Sequence, residues 1–203
     1  MAGTVNVLES ARRKRVKKII FASTSALYEN APAPFKENTS TEPTLIYAQT
    51  KRAAEDICRS YIKLYGMDIT ILRFFNVYGP HMDYRPPSYL ISYIIGCLLK
   101  KKAPILHSNG KQARDFVYVS DAVRLCEIAM THKAAKNEVF NVGSEKTITV
   151  QGVFDILAKL LGEKKIKPIY RDPKLIWENF PRQIQGKYSI DPKFLEREVN
   201  KYT

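Results

Sequence analysis

The chain has 203 residues, 45% hydrophobic and 26% charged, which is the make-up of a folded domain and excludes a disordered or collagen-like segment. No apolar run approaches the roughly 20 residues that span a bilayer, no signal-peptide pattern precedes the basic stretch at 12–18, and three widely spaced cysteines, Cys58, Cys97 and Cys126, speak against a disulfide framework and for a reducing, cytoplasmic setting. The formal charge of +13 gathers at 12–18, 100–102 and 164–167, near predicted helix ends; with no RNP, helix-turn-helix or zinc-finger pattern beside it, it predicts a solvated basic surface and no specific nucleic-acid or membrane partner.

In chain order, Val5, Leu8 and Ala11 form an apolar stripe that predicts a helix over 3–15, closed by basic residues. VKKIIFAS (16–23) reads as a buried strand. Residues 24–45, rich in Thr, Ser, Pro and Asn, read as a long loop, and loops of that length inside a compact domain are usually functional. Ala54, Ile57, Cys58, Tyr61 and Tyr65 recur at helical spacing and predict a helix over 46–65 ended by Gly66. A β-rich run follows at 68–77, broken by Gly79-Pro80. Beyond it the pattern predicts a helix at 88–101, short strands near 104–107 and 114–118, a helix from Asp121 to Thr131, a strand at 138–143, a helix at 150–161 ended by Gly162, and a helix near 192–201. Strands alternating with helices imply βαβ units and a mainly parallel sheet, on which ligands bind beyond the carboxyl ends of the strands.

Two segments sit at such ends, STSA (23–26) and NVYGP (76–80). Tyr47 and Lys51, four apart at the start of a helix, project from one face, in register with Ala54 and Cys58. A phenol ionises near pH 10 and is a poor base at neutrality; a neighbouring ammonium stabilises the phenolate, and such a tyrosine can take a proton from a substrate hydroxyl. The spacing also suits an ordinary surface pair. The hydroxyls of Ser23, Thr24 and Ser25 can bond a substrate oxygen or simply cap a turn. His81, His107 and His132 lack metal-ligand spacing, so no metal site is expected. Asp121 reads as a helix N-terminal acid, and Asp115 as structural or as a partner of Arg114.

The ordered set GTVNVLESAR, IIFASTSALY, Glu37, Pro43, Tyr47-x-x-x-Lys51, LRFFNVYGP, GKQARDFVYVSD and FNVGS resembles the extended short-chain dehydrogenases/reductases, and within them the nucleotide-sugar epimerases. The resemblance runs from Gly3 to about Leu161. It implies an α/β fold: the C-terminal part of a doubly wound, Rossmann-type parallel sheet with a small α/β lobe for the substrate. Residues 1–80 would belong to the NAD-binding domain and 81–203 mainly to the sugar-nucleotide lobe, with 114–143 partly returning to the first. It implies NAD as cofactor and a nucleotide-diphosphate sugar as substrate, of the kind of a UDP-hexose epimerised at C4 through a transient 4-keto sugar, with a homodimer as one assembly.

Carried over by motif, Tyr47 would be the catalytic base, Lys51 would hold the nicotinamide ribose and tune Tyr47, and Thr24 would be the catalytic hydroxyl. Ser23 and Phe74 would lie on the cofactor side. Ser25, Asn76 and Arg114 would meet the sugar nucleotide, with a second phosphate-binding arginine at Arg182 or, as its rival, Arg171. Related dehydratases carry an Asp-Glu pair after the catalytic threonine, and related decarboxylases usually keep the Glu. Here Ser25 and Ala26 follow Thr24, which favours epimerisation, although Glu37 in the same loop is a carboxylate within reach in sequence. The family's Gly-rich phosphate turn has no counterpart among the 203 residues. The expectation is therefore that about the first hundred residues of the nucleotide-binding domain lie outside this sequence, or come from a complementary chain. A sugar-nucleotide-binding fragment without turnover is the alternative.

Overall fold

The structure is a computed structural model, and it describes residues 2–82, 89–107 and 109–171. The predicted helix at 192–201 and the candidate Arg182 lie outside the described residues.

The first parallel sheet is built from β1 (Ile19–Thr24), β2 (Ile69–Phe74) and β6 (Val139–Val142), in the order β1-β2-β6. Its registers run Thr24↔Phe74 and Phe74↔Val142, so the three carboxyl ends are flush. β2 is central and buried on both faces, and its alternation tells them apart. Ile69 and Ile71 pack with Leu8 of α1 (Ala2–Arg13) and Cys58 of α2 (Ile46–Tyr65). Leu72 packs on the other side with Val142 and with Ala122 and Ala129 of α4 (Val119–Thr131). This is the helix–sheet–helix layering of a doubly wound fold, as the alternating elements imply.

Several boundaries shift from the sequence expectations, each for a local reason. β1 starts at Ile19 rather than at 16, because Val16 turns back to donate to the Ala11 carbonyl at the end of α1. The loop after β1 opens with a single 3-10 turn, Ser25–Tyr28, capped by Thr24. The run at 68–77 is two strands, β2 and β3 (Asn76–Tyr78). The chain changes partner at Phe75, and β3 pairs in parallel with β5 (Ala113–Tyr118). α4 begins two residues ahead of Asp121, which occupies its first turn. α2 ends where the spacing predicts: Gly66 takes a left-handed conformation (φ 65°) and donates to the Ile62 carbonyl.

The chain divides into two compact units: one formed by residues up to Gly79 together with Asp115–Lys146, the other by Pro80–Arg114 and the chain from Thr147 onward. In the second, α3 (Leu90–Leu99) packs on α5 (Val150–Leu160), which Thr149 caps by accepting from the Gly152 N–H. β4 (Ile105–His107) pairs in parallel with β8 (Ile169–Arg171), and β7 (Thr147–Thr149) leads into α5. Among the described residues no helix is long and apolar enough to cross a membrane.

Candidate active site

The flush carboxyl ends of β1, β2 and β6 carry most of the residues singled out by sequence. Tyr47 lies in the first turn of α2 and is 56% exposed. One turn on, the Lys51 ammonium donates to the Ala22 carbonyl of β1 at 2.9 Å, and lies 5.4 Å from the centre of the Phe21 ring. Thr24 accepts from the Ala26 N–H at 3.2 Å, which leaves its own hydroxyl proton to donate elsewhere. Ser25 begins the turn beside it. Asn76 opens β3, exposed, and donates from Nδ2 to the Asp115 carbonyl at 2.8 Å.

Other candidates are held differently. The Ser23 side chain is buried and donates to Glu55 Oε1 at 2.6 Å, so its hydroxyl is committed to α2. Phe74 packs against Leu72, Val142 and α4. Arg114 belongs to the second unit and donates from Nη1 to the Ala113 carbonyl at 3.5 Å; Arg171, exposed, ends β8 in the same unit. Asp115 is structural. Its Oδ1 accepts from the Ser144 N–H and hydroxyl at 2.8 Å, and its Oδ2 from the Glu145 N–H at 3.0 Å.

That anchored carboxylate explains Gly143. A Cβ at this position would stand 2.8 Å from Asp115 Oδ2 and 3.3 Å from the Phe75 ring. Because Asp115 is fixed by three hydrogen bonds, it yields little. Gly143→Ala is expected to cost about 1–3 kcal/mol by overpacking, read as a lower denaturation midpoint; an unchanged midpoint would show the loop more compliant than this.

A buried polar network, absent from the sequence reading, lies under the site. Glu55 and Arg73 are 0% and 2% exposed. Arg73 Nε and Nη2 donate to the two Glu55 carboxylate oxygens at 3.0 and 2.7 Å, a fork-to-fork pair. Arg73 Nη1 donates to the Tyr28 hydroxyl at 2.7 Å and to the Glu37 carbonyl at 3.1 Å. Tyr28 donates in turn to Asn141 Oδ1 at 2.8 Å and stacks on Phe35. Burial alone pushes the Glu55 carboxyl up; the hydrogen bonds from Arg73 and Ser23 outweigh it and hold the group below the usual carboxylate range. A signal was available: Ser23 and Arg73 are opposed in register, share the Ile69/Ile71 face by period two, and meet the α2 face on which 51, 55 and 58 recur.

Glu37 is tied at both ends. Its Oε1 accepts from the Asn141 N–H at 2.9 Å while its carbonyl accepts from Arg73. Glu29 plays a similar part at the start of α2, where Oε1 accepts from the Thr44 N–H and hydroxyl and, at 2.9 Å, from the Leu45 N–H. A carboxylate at a helix N-terminus satisfies donors that the helix leaves open.

The sequence matches the NAD dependent epimerase/dehydratase family over residues 1–143. The chain belongs to this family. A UDP-glucuronate 4-epimerase of Thermodesulfobacterium geofontis is 34% identical over 189 residues, covering 90% of this chain and 57% of that protein. Among solved structures, UDP-glucose 4-epimerase of Thermotoga maritima with UDP-glucose matches with a TM-score of 0.80 at 33% identity, over 84% of this chain and 55% of that one. UDP-glucuronic acid 4-epimerase of Bacillus cereus in complex with UDP-glucuronic acid and NAD matches with a TM-score of 0.75 at 29% identity, over 83% and 52%. The chain spans about half the length of the curated relatives it matches. The family membership accounts for the doubly wound sheet and for the order of the motifs along it.

Proposed function

We propose that this chain carries the catalytic segment of an NAD-dependent nucleotide-sugar epimerase, acting at C4 of a UDP-hexose in a cytoplasmic setting. The observation that carries the reading is the bond from the Lys51 ammonium to the Ala22 carbonyl, which joins the helix that bears Tyr47 and Lys51 to the strand that ends in Thr24. In this reading Tyr47 removes the proton of the sugar hydroxyl, and Thr24 donates a hydrogen bond to the same oxygen. Lys51, one turn further along the same helix, would hold the nicotinamide ribose beside Tyr47. The residues present fit the nicotinamide end of NAD, since a lysine and a tyrosine one turn apart can both reach a ribose hydroxyl. NAD, when bound, would accept a hydride from the sugar carbon and return it to the opposite face.

Epimerisation needs one proton shuttle, whereas eliminating water needs a further acid and base at the neighbouring carbon. Ser25 and Ala26 follow Thr24, and the one carboxylate singled out in the loop, Glu37, is bound to the Asn141 N–H. Both features support epimerase chemistry over dehydration. The protein made from its complete reading frame, given NAD with UDP-glucose or UDP-glucuronate, is expected to yield the 4-epimer by NMR. A 4-keto-6-deoxy sugar or loss of carbon dioxide, with no 4-epimer, would overturn the reading.

Arg114 is the proposed phosphate contact, because its planar fork binds oxyanions bidentately. Arg114→Ala is expected to raise KM for the sugar nucleotide far more than it lowers kcat, by an amount equivalent to about 1.5–3 kcal/mol. An unchanged KM would remove Arg114 from the substrate site.

A further inference from the structure

We propose that Ser23 and Glu55 act as positioning residues, locking the height of α2 on β1 and thereby the place of Tyr47 relative to the end of that strand. The inference rests on the reading of Tyr47 as the base. Two successive turns of one α2 face are bonded to two successive residues of one strand. Lys51 is held on the Ala22 carbonyl at 2.9 Å, and Glu55 takes the Ser23 hydroxyl at 2.6 Å. The first bond comes from a long, rotatable side chain ending in an ammonium, which tolerates a shift of the helix. The second joins two short side chains inside the protein, at 5% and 0% exposure, where no water replaces a lost partner. Arg73 braces the second bond from the neighbouring strand by engaging both Glu55 oxygens, so the carboxylate is fixed in plane as well as in distance.

The same guanidinium reaches the Tyr28 hydroxyl and the Glu37 carbonyl. One buried cluster thus ties the helix bearing Tyr47 and Lys51, the strand ending in Thr24, and the long loop after it. Tyr47 is exposed and Thr24 and Lys51 are half-buried, while the Ser23–Glu55 bond that fixes their helix and strand is buried. A misplacement of about 1 Å in a catalytic group can lower a rate by about 100-fold, so a lock of this kind belongs to catalysis as much as to stability.

The test is a double-mutant cycle in the protein made from its complete reading frame. Ser23→Ala removes the strand's half of the bond and leaves the Glu55–Arg73 pair in place. It is expected to lower kcat by about 10- to 100-fold, with KM for the UDP-sugar and Kd for NAD within about twofold, and Ser23→Thr is expected to restore most of the loss. In a Tyr47→Phe background the same Ser23→Ala change should have almost no further effect, because a residue that acts through Tyr47 has nothing left to position. Equal losses in both backgrounds, an unchanged kcat in Ser23→Ala, or a weakened NAD Kd as the sole effect would each overturn the inference while leaving Tyr47 as the base. Full turnover of Tyr47→Phe alone would overturn the base assignment, and this inference with it.

Discussion

Tyr47→Phe is expected to lower kcat by about 10²–10⁴, the range for losing a general acid–base group, with the fold intact. The ring stays and only the hydroxyl goes, on a residue that is 56% exposed. Stability should therefore change by less than about 0.5 kcal/mol, as for surface positions generally. KM for the sugar nucleotide should move little, since the interaction lost is one made in the transition state. Turnover assays beside a thermal melt check both halves. A fall in kcat accompanied by a matching loss of stability would mean that Tyr47 holds structure rather than protons.

The second large effect is on stability. Removing one partner of the Glu55–Arg73 pair leaves a charge buried without its counter-charge, and Glu55→Leu or Arg73→Met is each expected to cost about 3–5 kcal/mol. The double variant Glu55→Leu/Arg73→Met should recover only part of that loss, because it removes the unpaired charge but leaves the Ser23 hydroxyl and the Glu37 carbonyl without the partners they have here. Denaturant midpoints of the four proteins decide the matter. If the singles cost under about 1 kcal/mol, the pair is better hydrated than its exposure indicates.

The same pair has a pH signature. The folded Glu55 carboxyl ionises below its unfolded value, so its contribution is complete above the ordinary carboxylate range, around pH 4.3, and is lost as the pH falls through the folded value. The wild type is expected to lose stability over that acid interval more steeply than the double variant. Parallel acid limbs would show that other carboxylates govern the transition.

Much of this could be read from the chain alone. The bounds of α2 follow from its apolar spacing and from Gly66, and three strands of the first sheet were legible because β-rich apolar runs sit between helical patterns. Tyr47 and Lys51 were visible because their spacing is local. The elements that escaped were short or depended on distant partners. β7 and β8 have three residues each, too few to show a period, and the change of sheet at Phe75 leaves no mark in the continuous pattern ILRFFNV. Arg73 lies near a strand end and Glu55 in mid-helix, and nothing in either local sequence marks them as partners. Only folding brings them together, across strands and a helix whose separation in sequence no local pattern encodes. Glu37 is the instructive case for the site: sequence left it available to chemistry, and the Asn141 N–H ties it down.

The order of strands in the first sheet also has a bearing on how the protein emerges from the ribosome. β1 and β2 can associate once residue 74 is out, but the far side of β2 waits for β6, whose residues 139–142 are made much later. Until then Leu72 has no Val142, and the Thr70 hydroxyl lacks the Ala135 carbonyl it bonds in the finished protein. Non-local parallel pairing of this kind is slow, and it leaves apolar surface uncovered while synthesis continues. The nascent chain must therefore hold a half-built sheet through the whole translation of residues 80–114, which belong to the other unit. Slowing elongation in that stretch should raise the yield of aggregated product, and chaperone supply should matter most there.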